Sequence, residues 1–209
     1  MQFPNALEGV KKIYKAEIIA LIGGIVGFVA AILALVGAKT GSAGGLAGGG
    51  FLIIAASVLF IIAFIMNIVG LNKAKPDEEN FKNALYMVFA GIVLSIVVGA
   101  TKDGTLIHTL GESLSNICNL LVNYLVATAL LNLANRLGDA AVAQKAKSVR
   151  TLLTIVWIIA IVLRILGDTF TSKAGTIAVV LALIAAVIEI IAYIVYLVLL
   201  SKASKMLEA

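Results

Sequence analysis

The sequence predicts an all-α integral membrane protein whose six transmembrane helices are arranged as three tandem helical hairpins. Three observations lead to this fold class: the composition, the number and length of the apolar runs, and a pattern that recurs at the helix ends. Of the 209 residues, 62% are hydrophobic and 13% are charged, and the mean hydropathy is +1.12. Soluble domains are close to half apolar and a quarter charged, so this balance indicates a chain that lies in a membrane.

Six apolar runs are long enough to cross the bilayer, which needs about 17–25 helical residues. The chain leaves no room for a soluble domain between them, so we expect a single membrane domain over residues 1–209. The first run follows the basic stretch EGVKKIYKAE and is longer than the core of a secretory signal, which favours a signal anchor. The predicted spans are 18–38, 51–71, 83–100, 114–134, 150–167 and 175–200.

The basic residues predict the orientation of the chain. Twelve of the 16 Lys and Arg residues fall on one side of the predicted spans, three fall on the other, and Arg164 lies inside a span. Because basic loops stay in the cytoplasm, we expect a multi-pass protein of the cell membrane with both termini cytoplasmic. The three basic residues expected outside are Lys39, Lys102 and Lys173.

The connections on the two sides differ in composition. On the predicted outer side, residues 38–50 (AKTGSAGGLAGGG) carry a glycine run that is not followed by the Lys-Ser/Thr pair of a phosphate-binding loop, and they are interpreted as a flexible linker. On the cytoplasmic side, residues 73–85 (KAKPDEENFKNAL) indicate the start of a helix. Pro76 suits a first turn, and the acidic residues 77–79 complement the positive end of the helix dipole.

Short motifs recur at the helix ends and indicate an internal repeat. Odd-numbered spans end in VGAKTG, VGATKDG and LGDTFTS, whose glycines Gly37, Gly99 and Gly167 are 62 and 68 residues apart. The second and sixth spans end in LNKA and LSKA, which are 129 residues apart, or two such periods. We therefore expect hairpin repeats over residues 8–75, 76–138 and 145–205.

Small residues recur every four positions on the first and the last predicted helix. Such ridges let two helices approach closely in lipid, where van der Waals packing replaces the hydrophobic effect. We expect them to pack helices within one chain, and the alternative is an interface between copies in a homo-oligomer. The helix-packing residues are Gly23, Gly27, Ala31, Ala178, Ala182 and Ala186.

The fourth helix is the most polar of the six. Four members of its polar stripe fall within about 60° of one another around the helix, and the fifth belongs to a second cluster nearer the cytoplasm. Two hypotheses stay open: hydrogen bonds that join a central helix to its neighbours, or the polar lining of a solute path. Either way, we expect the stripe to face protein or water. The polar stripe consists of Glu112, Asn116, Asn119, Asn123 and Asn132.

Arg164, in the stretch IVLRILGD, places a charge inside an apolar span, where it needs a partner. It lies 14 residues, about 21 Å, beyond Arg150, and Glu189 lies 13 residues, about 20 Å, before Lys202, so the two share a depth. Arg164 pairs either with Glu189 or, by extending outward, with Asp168 one turn away. The second pairing is slightly favoured and leaves Glu189 as an uncompensated acid near the midplane, which by default marks a functional site.

Little in the sequence suggests chemistry on a substrate. One cysteine and one histidine, Cys118 and His108, form neither an internal disulfide nor a zinc site, and Cys118 is interpreted as a small apolar filler. Motifs for nucleophilic or metal-assisted hydrolysis are missing, so we expect no enzymatic activity and no cofactor or metal. The net charge of +5 is assigned to basic loops at an anionic leaflet, because the aromatic and basic interleaving that binds nucleic acid is missing.

Two classes of function follow from these observations. We expect a non-catalytic scaffold, accessory or regulatory module for other membrane components, because the loops are short and the spans carry few charges. The alternative is a channel or transporter for a small solute or an ion. Its path would be lined by the fourth helix, and it would act either as a single chain or as an oligomer. The expected partners are the lipid bilayer and either further copies of the chain or other membrane proteins.

Overall fold

The computed structural model of the protein describes residues 2–101, 106–170 and 175–209, and these ranges fold into six α-helices. Five of the helices, α1 to α4 and α6, are long and apolar enough to cross a membrane within the described ranges. An all-helical membrane fold is thereby confirmed, whereas the sixth span and the repeat stay predictions. The helices are α1 (Pro4–Thr40), α2 (Ala43–Ala74), α3 (Glu79–Ala100), α4 (Leu106–Leu137), α5 (Ala140–Phe170) and α6 (Gly175–Glu208).

Helices that follow one another in the chain pack side by side. The contact between α1 and α2 is the most extensive, that between α3 and α4 is next, and that between α2 and α3 is the smallest between consecutive helices. The last helix returns to the first, and Lys11 of α1 forms an ion pair with Glu208 of α6. The six helices therefore form a closed ring of contacts that is thinnest between α2 and α3.

The glycine-rich run after α1 is not the flexible linker that its composition predicts. Only Gly41 and Ser42 form the turn: Gly41 has a φ of 67°, which favours glycine, and the Ser42 Oγ accepts a hydrogen bond from the Gly45 amide. The residues that follow belong to α2. A Cβ on Gly45 would lie 2.9 Å from the Gly37 Cα, so glycine here allows two backbones to touch.

The helices extend well beyond the predicted spans, and the extensions build the core. α1 has 37 residues, about 55 Å of helix, whereas the hydrocarbon core of a bilayer is about 30 Å thick. We call the end of the bundle that carries both termini and residues 75–78 the basic end. Most fully buried side chains gather there: Val10 and Ile13 of α1, Leu71 of α2 and Phe81 of α3 against residues 122–134 of α4 and 196–207 of α6.

At the opposite end, α1 and α2 cover each other and leave their remaining surfaces apolar and exposed. Phe28 is 69% exposed and Phe51 71% exposed. Gly23 lies against α2, where an added Cβ would be 3.3 Å from the Leu59 Cβ, and Gly27 lies against the same helix. Ala31 is exposed. The side chains of Ala178, Ala182 and Ala186 lie outside the part of the chain that the structure describes.

Candidate functional site

The most unusual polar group in the described part of the bundle is Glu17, which is 9% exposed in the middle of α1. Two other helices supply its partners. Asn67 of α2 donates its Nδ2 to Glu17 Oε1 at 3.0 Å. The Tyr193 hydroxyl of α6 lies 2.9 Å from Glu17 Oε2 and 2.7 Å from the Glu17 carbonyl oxygen. We call Glu17, Asn67 and Tyr193 the Glu17 cluster; it joins the first, second and last helices.

The hydrogen bonds of the Glu17 cluster accommodate a carboxylic acid. A phenol has one proton, so the Tyr193 hydroxyl donates to only one of the two Glu17 oxygens that it touches. Both contacts are full hydrogen bonds when Tyr193 donates to the carbonyl oxygen and Glu17 carries a proton on Oε2 that it donates to the phenol oxygen. An ionised Glu17 would share the single Tyr193 proton between its carbonyl oxygen and Oε2 in a three-centre hydrogen bond. The observed geometry therefore has a place for one more proton, on Glu17.

Glu17 has no counter-charge in the described part of the chain, where the ion pairs of the acidic residues involve others. The nearest basic residue along α1 is Lys15, two residues or about 3 Å before Glu17 along the helix axis, and it is exposed whereas Glu17 is buried. On α6, Tyr193 lies nine residues, about 14 Å, from Lys202. A carboxyl that is buried without a cation is costly as an ion.

A cavity of about 330 Å³ borders Glu17 and Asn67. It lies between α1, α2 and α3, and the half-exposed rings of Phe60 and Phe64 flank it, so it opens on an apolar surface of the bundle. The remaining walls are aliphatic: Ala16, Ala20, Ala63, Ile68 and Val88. Two further buried acceptor or donor groups nearby, Asn67 Oδ1 and the Tyr196 hydroxyl, have no hydrogen-bond partner among the described residues. The site therefore combines one carboxyl group, two buried polar atoms without a hydrogen-bond partner among the described residues, and an apolar cavity.

A second buried carboxylate, Glu78, lies at the basic end and is paired with a cation. Its side chain is 3% exposed, and Arg136 Nη2 lies 3.0 Å from its Oε2. Asn132 and Asn80 both donate side-chain amides to its Oε1, at 2.9 and 2.8 Å. We call these four residues the Glu78 cluster. It ties the segment between α2 and α3 to the end of α4 and is a structural clasp.

The neighbouring Asp77 has a role that the sequence did not predict. Its Oδ2 accepts a hydrogen bond from the Ala6 amide at 2.7 Å and its Oδ1 accepts one from Asn5 Nδ2 at 3.0 Å. Asp77 therefore caps the first turn of α1, 71 residues away, rather than α3. Pro76 lies before α3, which begins at Glu79, and not in its first turn.

The polar stripe of α4 is divided between three environments. Asn132 belongs to the Glu78 cluster, and Asn123 is half-buried. Asn116 and Asn119 are exposed. Asn119 borders a second cavity of about 330 Å³ between α2, α3 and α4, which shares Phe64 and Val88 with the cavity beside Glu17. The side chain of Glu112 lies outside the described part of the chain.

The charges predicted to mark the site cannot be placed against these clusters. The side chains of Arg164, Asp168 and Glu189 lie outside the part of the chain that the structure describes, so their pairing stays a prediction. Cys118 is buried. An added Cβ on Gly91 of α3 would lie 3.5 Å from the Cys118 Cβ, so Cys118 lies in the contact between α3 and α4.

Sequence reasoning missed Glu17 because it stands at the edge of an apolar run. It follows Lys15 by two positions and directly precedes the predicted span 18–38, so it was grouped with the basic segment before the span. The available signal was the presence of Asn67 and Tyr193 as isolated polar residues inside two other predicted spans. Comparisons of the chain with models of known protein families, with curated proteins and with solved structures found no match.

Proposed function

We propose that this chain is a non-catalytic cell-membrane protein with six spans and cytoplasmic termini, and that it transports a small solute in exchange for a proton on Glu17. The observation that carries the proposal is the buried carboxyl of Glu17, which holds a place for a proton and has no cation beside it in the described part of the chain. An ionisable group inside a membrane bundle is expensive, and a function is its usual justification.

The contrast with Glu78 supports a transport role for Glu17 over a structural one. Glu78 has a guanidinium and two amides as partners, as a structural ion at a helix junction requires. Glu17 has only uncharged partners, an amide and a phenol, and borders an open cavity. Proton release from such a group needs a replacement positive charge, and the cavity is where one would arrive.

A flux measurement on the purified full-length chain in liposomes tests this function. Liposomes with an acidic interior and an internal pH dye receive, in separate runs, sodium, potassium, a quaternary alkylammonium, an amino acid or a sugar outside. We expect one class of solute to raise the internal pH faster than in protein-free liposomes. The Glu17→Gln variant should lose this effect, whereas Glu8→Gln, which changes an exposed carboxylate on the same helix, should keep it. No dissipation by any class would contradict the transport function.

The scaffold, accessory or regulatory function is the second candidate, and a different observation favours it. The outer halves of α1 and α2 carry exposed apolar side chains on the surfaces that they do not use against each other, including Phe28 and Phe51. In a bilayer this surface contacts lipid or the helices of another membrane protein. A photo-crosslinker at Phe28 in native membranes should give one protein adduct of defined mass if the chain is a scaffold, and only lipid adducts if it is not.

A further inference from the structure

We propose that the cavity beside Glu17 binds an organic ammonium ion with a short apolar tail, and that binding displaces the Glu17 proton. This inference rests on the proposed exchange function and names the substrate class. Its basis is the lining of the cavity, which supplies one ionisable oxygen site and otherwise hydrocarbon and aromatic surface.

The size and shape of the cavity suit a small ligand with an apolar body. Its volume of about 330 Å³ is near the lower end for ligand pockets, which span about 300–1,000 Å³. Seven of its nine lining residues are alanine, isoleucine, valine or phenylalanine. A sugar or a zwitterion would lose hydrogen bonds to water in such a site and regain few of them.

The charge of the ligand follows from the polar residues of the same lining. Glu17 and Asn67 are the polar members, and no Lys or Arg is among them, so an anion would meet no positive group. A positive head beside Glu17 would also face the rings of Phe60 or Phe64, whose π-faces attract cations. The Asn67 Oδ1 atom is buried and has no hydrogen-bond partner among the described residues. It is the negative end of the amide dipole and would also attract a cation.

An organic cation fits this site better than a metal ion does. Hard metal cations take about six to eight oxygen ligands, whereas this lining offers one carboxyl and one side-chain amide. An alkylammonium is only weakly hydrated around its carbon atoms, and aliphatic and aromatic walls can replace that part of its environment. The lining therefore selects against small inorganic ions through its lack of oxygen.

The exchange balances in protons and charge. The Glu17 carboxylic acid loses one H⁺ to solvent, and the resulting carboxylate pairs with the ammonium, so the site stays neutral. Tyr193 then donates its proton to Oε2 in place of the carbonyl oxygen, and Asn67 keeps its bond to Oε1. The groups that face Glu17 are Tyr193 and Tyr196 from α6 and Asn67 from α2, and none of them supplies a competing positive charge.

Binding of hexyltrimethylammonium to the purified full-length chain in mild detergent tests the inference. This cation is permanently charged, so it cannot shed a proton and pass through the micelle as a neutral amine. We expect a saturable rise in the thermal unfolding midpoint and release of one proton per chain into weakly buffered solution. The neutral control is 1-hexanol, which should give neither effect.

Two variants assign the effect to the cavity. Glu17→Gln should lose both the midpoint shift and the proton release, and Glu8→Gln should keep both. Ala20→Leu fills the cavity while leaving the Glu17 cluster intact, so it should lose binding but keep the fold, even where Glu17→Gln fails to fold. Equal shifts with hexanol, or an unchanged response in Ala20→Leu, would overturn the inference.

The outcomes for the two proposals can be told apart. Hexyltrimethylammonium that binds the wild-type chain in detergent but dissipates no pH gradient in liposomes would refute transport and keep the ammonium site. Gradient dissipation by sodium, an amino acid or a sugar, with no binding of hexyltrimethylammonium, would keep transport and overturn the ammonium site.

Discussion

Glu17 and Glu78 are both buried carboxylates, and the difference between their partners assigns them different roles. The Arg136 guanidinium lies 3.0 Å from Glu78 Oε2 and compensates the charge of Glu78. The partners of Glu17 are the Asn67 amide and the Tyr193 phenol, and the phenol oxygen lies within hydrogen-bond distance of two Glu17 oxygens. Glu78 is therefore ion-paired, whereas the partners of Glu17 are uncharged and leave a place for a proton.

Removing the Tyr193 hydroxyl should weaken the junction of α1 and α6. Tyr193→Phe leaves Glu17 Oε2 without its partner, and hydrogen bonds between membrane helices contribute about 0.5–2 kcal/mol. We expect a lower unfolding midpoint in detergent. Tyr86→Phe is the matched control, because that tyrosine is 54% exposed. Equal stability of the two variants would show that the Tyr193 hydroxyl has no structural role.

Removing the cation of the Glu78 cluster should destabilise the basic end. Arg136→Met keeps the length of the side chain but leaves a carboxylate that is 3% exposed without its guanidinium, at an expected loss of about 1–3 kcal/mol. The double variant Arg136→Met with Glu78→Gln should recover part of that loss, because no buried charge remains. Lys82→Met provides the control for loss of a nearby positive charge. A double variant less stable than Arg136→Met alone would argue against a charge effect.

At the scale of helices, the tightest contact in the described chain joins α1 and α2 at the basic end. A Cβ on Gly9 would lie 2.5 Å from the Gly70 carbonyl oxygen, and one on Gly70 would lie 2.8 Å from the Gly9 carbonyl oxygen. The two glycines thus let the helix backbones meet. The small-residue pattern of the sequence indicated Gly23 and Gly27 instead, because Gly9 and Gly70 lie outside or at the end of the predicted spans.

Alanine at this crossing should be costly. Gly9→Ala forces α1 and α2 apart, because its Cβ would meet backbone rather than a movable side chain, and we expect a loss of about 1–3 kcal/mol in unfolding free energy. Gly24→Ala, where an added Cβ has nothing within 4 Å, should leave stability unchanged or raise it by up to about 1 kcal/mol. The comparison uses thermal or denaturant unfolding in one detergent. A loss of equal size in both variants would point to backbone effects alone.

Hydropathy predicted the position and type of the helices well but not their length or their contacts. Apolar runs mark only the part of a helix that meets lipid, whereas the ends of α1 and α4 are mixed in polarity and both pack on α6. The partners of Glu17 depend on the rotation of three helices about their axes, which composition does not specify. The long-range pairs Asn67–Glu17 and Tyr193–Glu17, 50 and 176 residues apart, needed the structure.

At the scale of the molecule, packing is concentrated at the basic end and thins toward the opposite end. Residues of all six helices belong to the buried core. Most of the described core residues lie in the half of each helix that is at the basic end. The Glu17 cluster lies where this core meets the apolar outer half of α1 and α2. This position agrees with the proposed ammonium ligand, which would reach the cavity across the exposed apolar surface of α1 and α2.

Reporter fusions test the orientation on which this description depends. Fusions after Lys75 and Gln144 should report the cytoplasm, and a fusion after Ser42 should report the opposite side, because basic residues concentrate near the first two positions. An alkaline phosphatase reporter, active only outside the cytoplasm, and a cytoplasm-active fluorescent reporter give opposite readouts. A cytoplasmic signal at Ser42 would reverse or break the assigned topology.

The protonation of Glu17 is the central claim, and infrared difference spectroscopy measures it directly. Spectra of the purified full-length chain at neutral pH, wild type minus Glu17→Gln, should contain the carbonyl band of one protonated carboxylic acid. The band should vanish when hexyltrimethylammonium is added, as a carboxylate band appears. A difference spectrum with a carboxylate band and no carboxylic-acid band in the free protein would contradict the account, because Glu17 would then be an ion in the closed bundle.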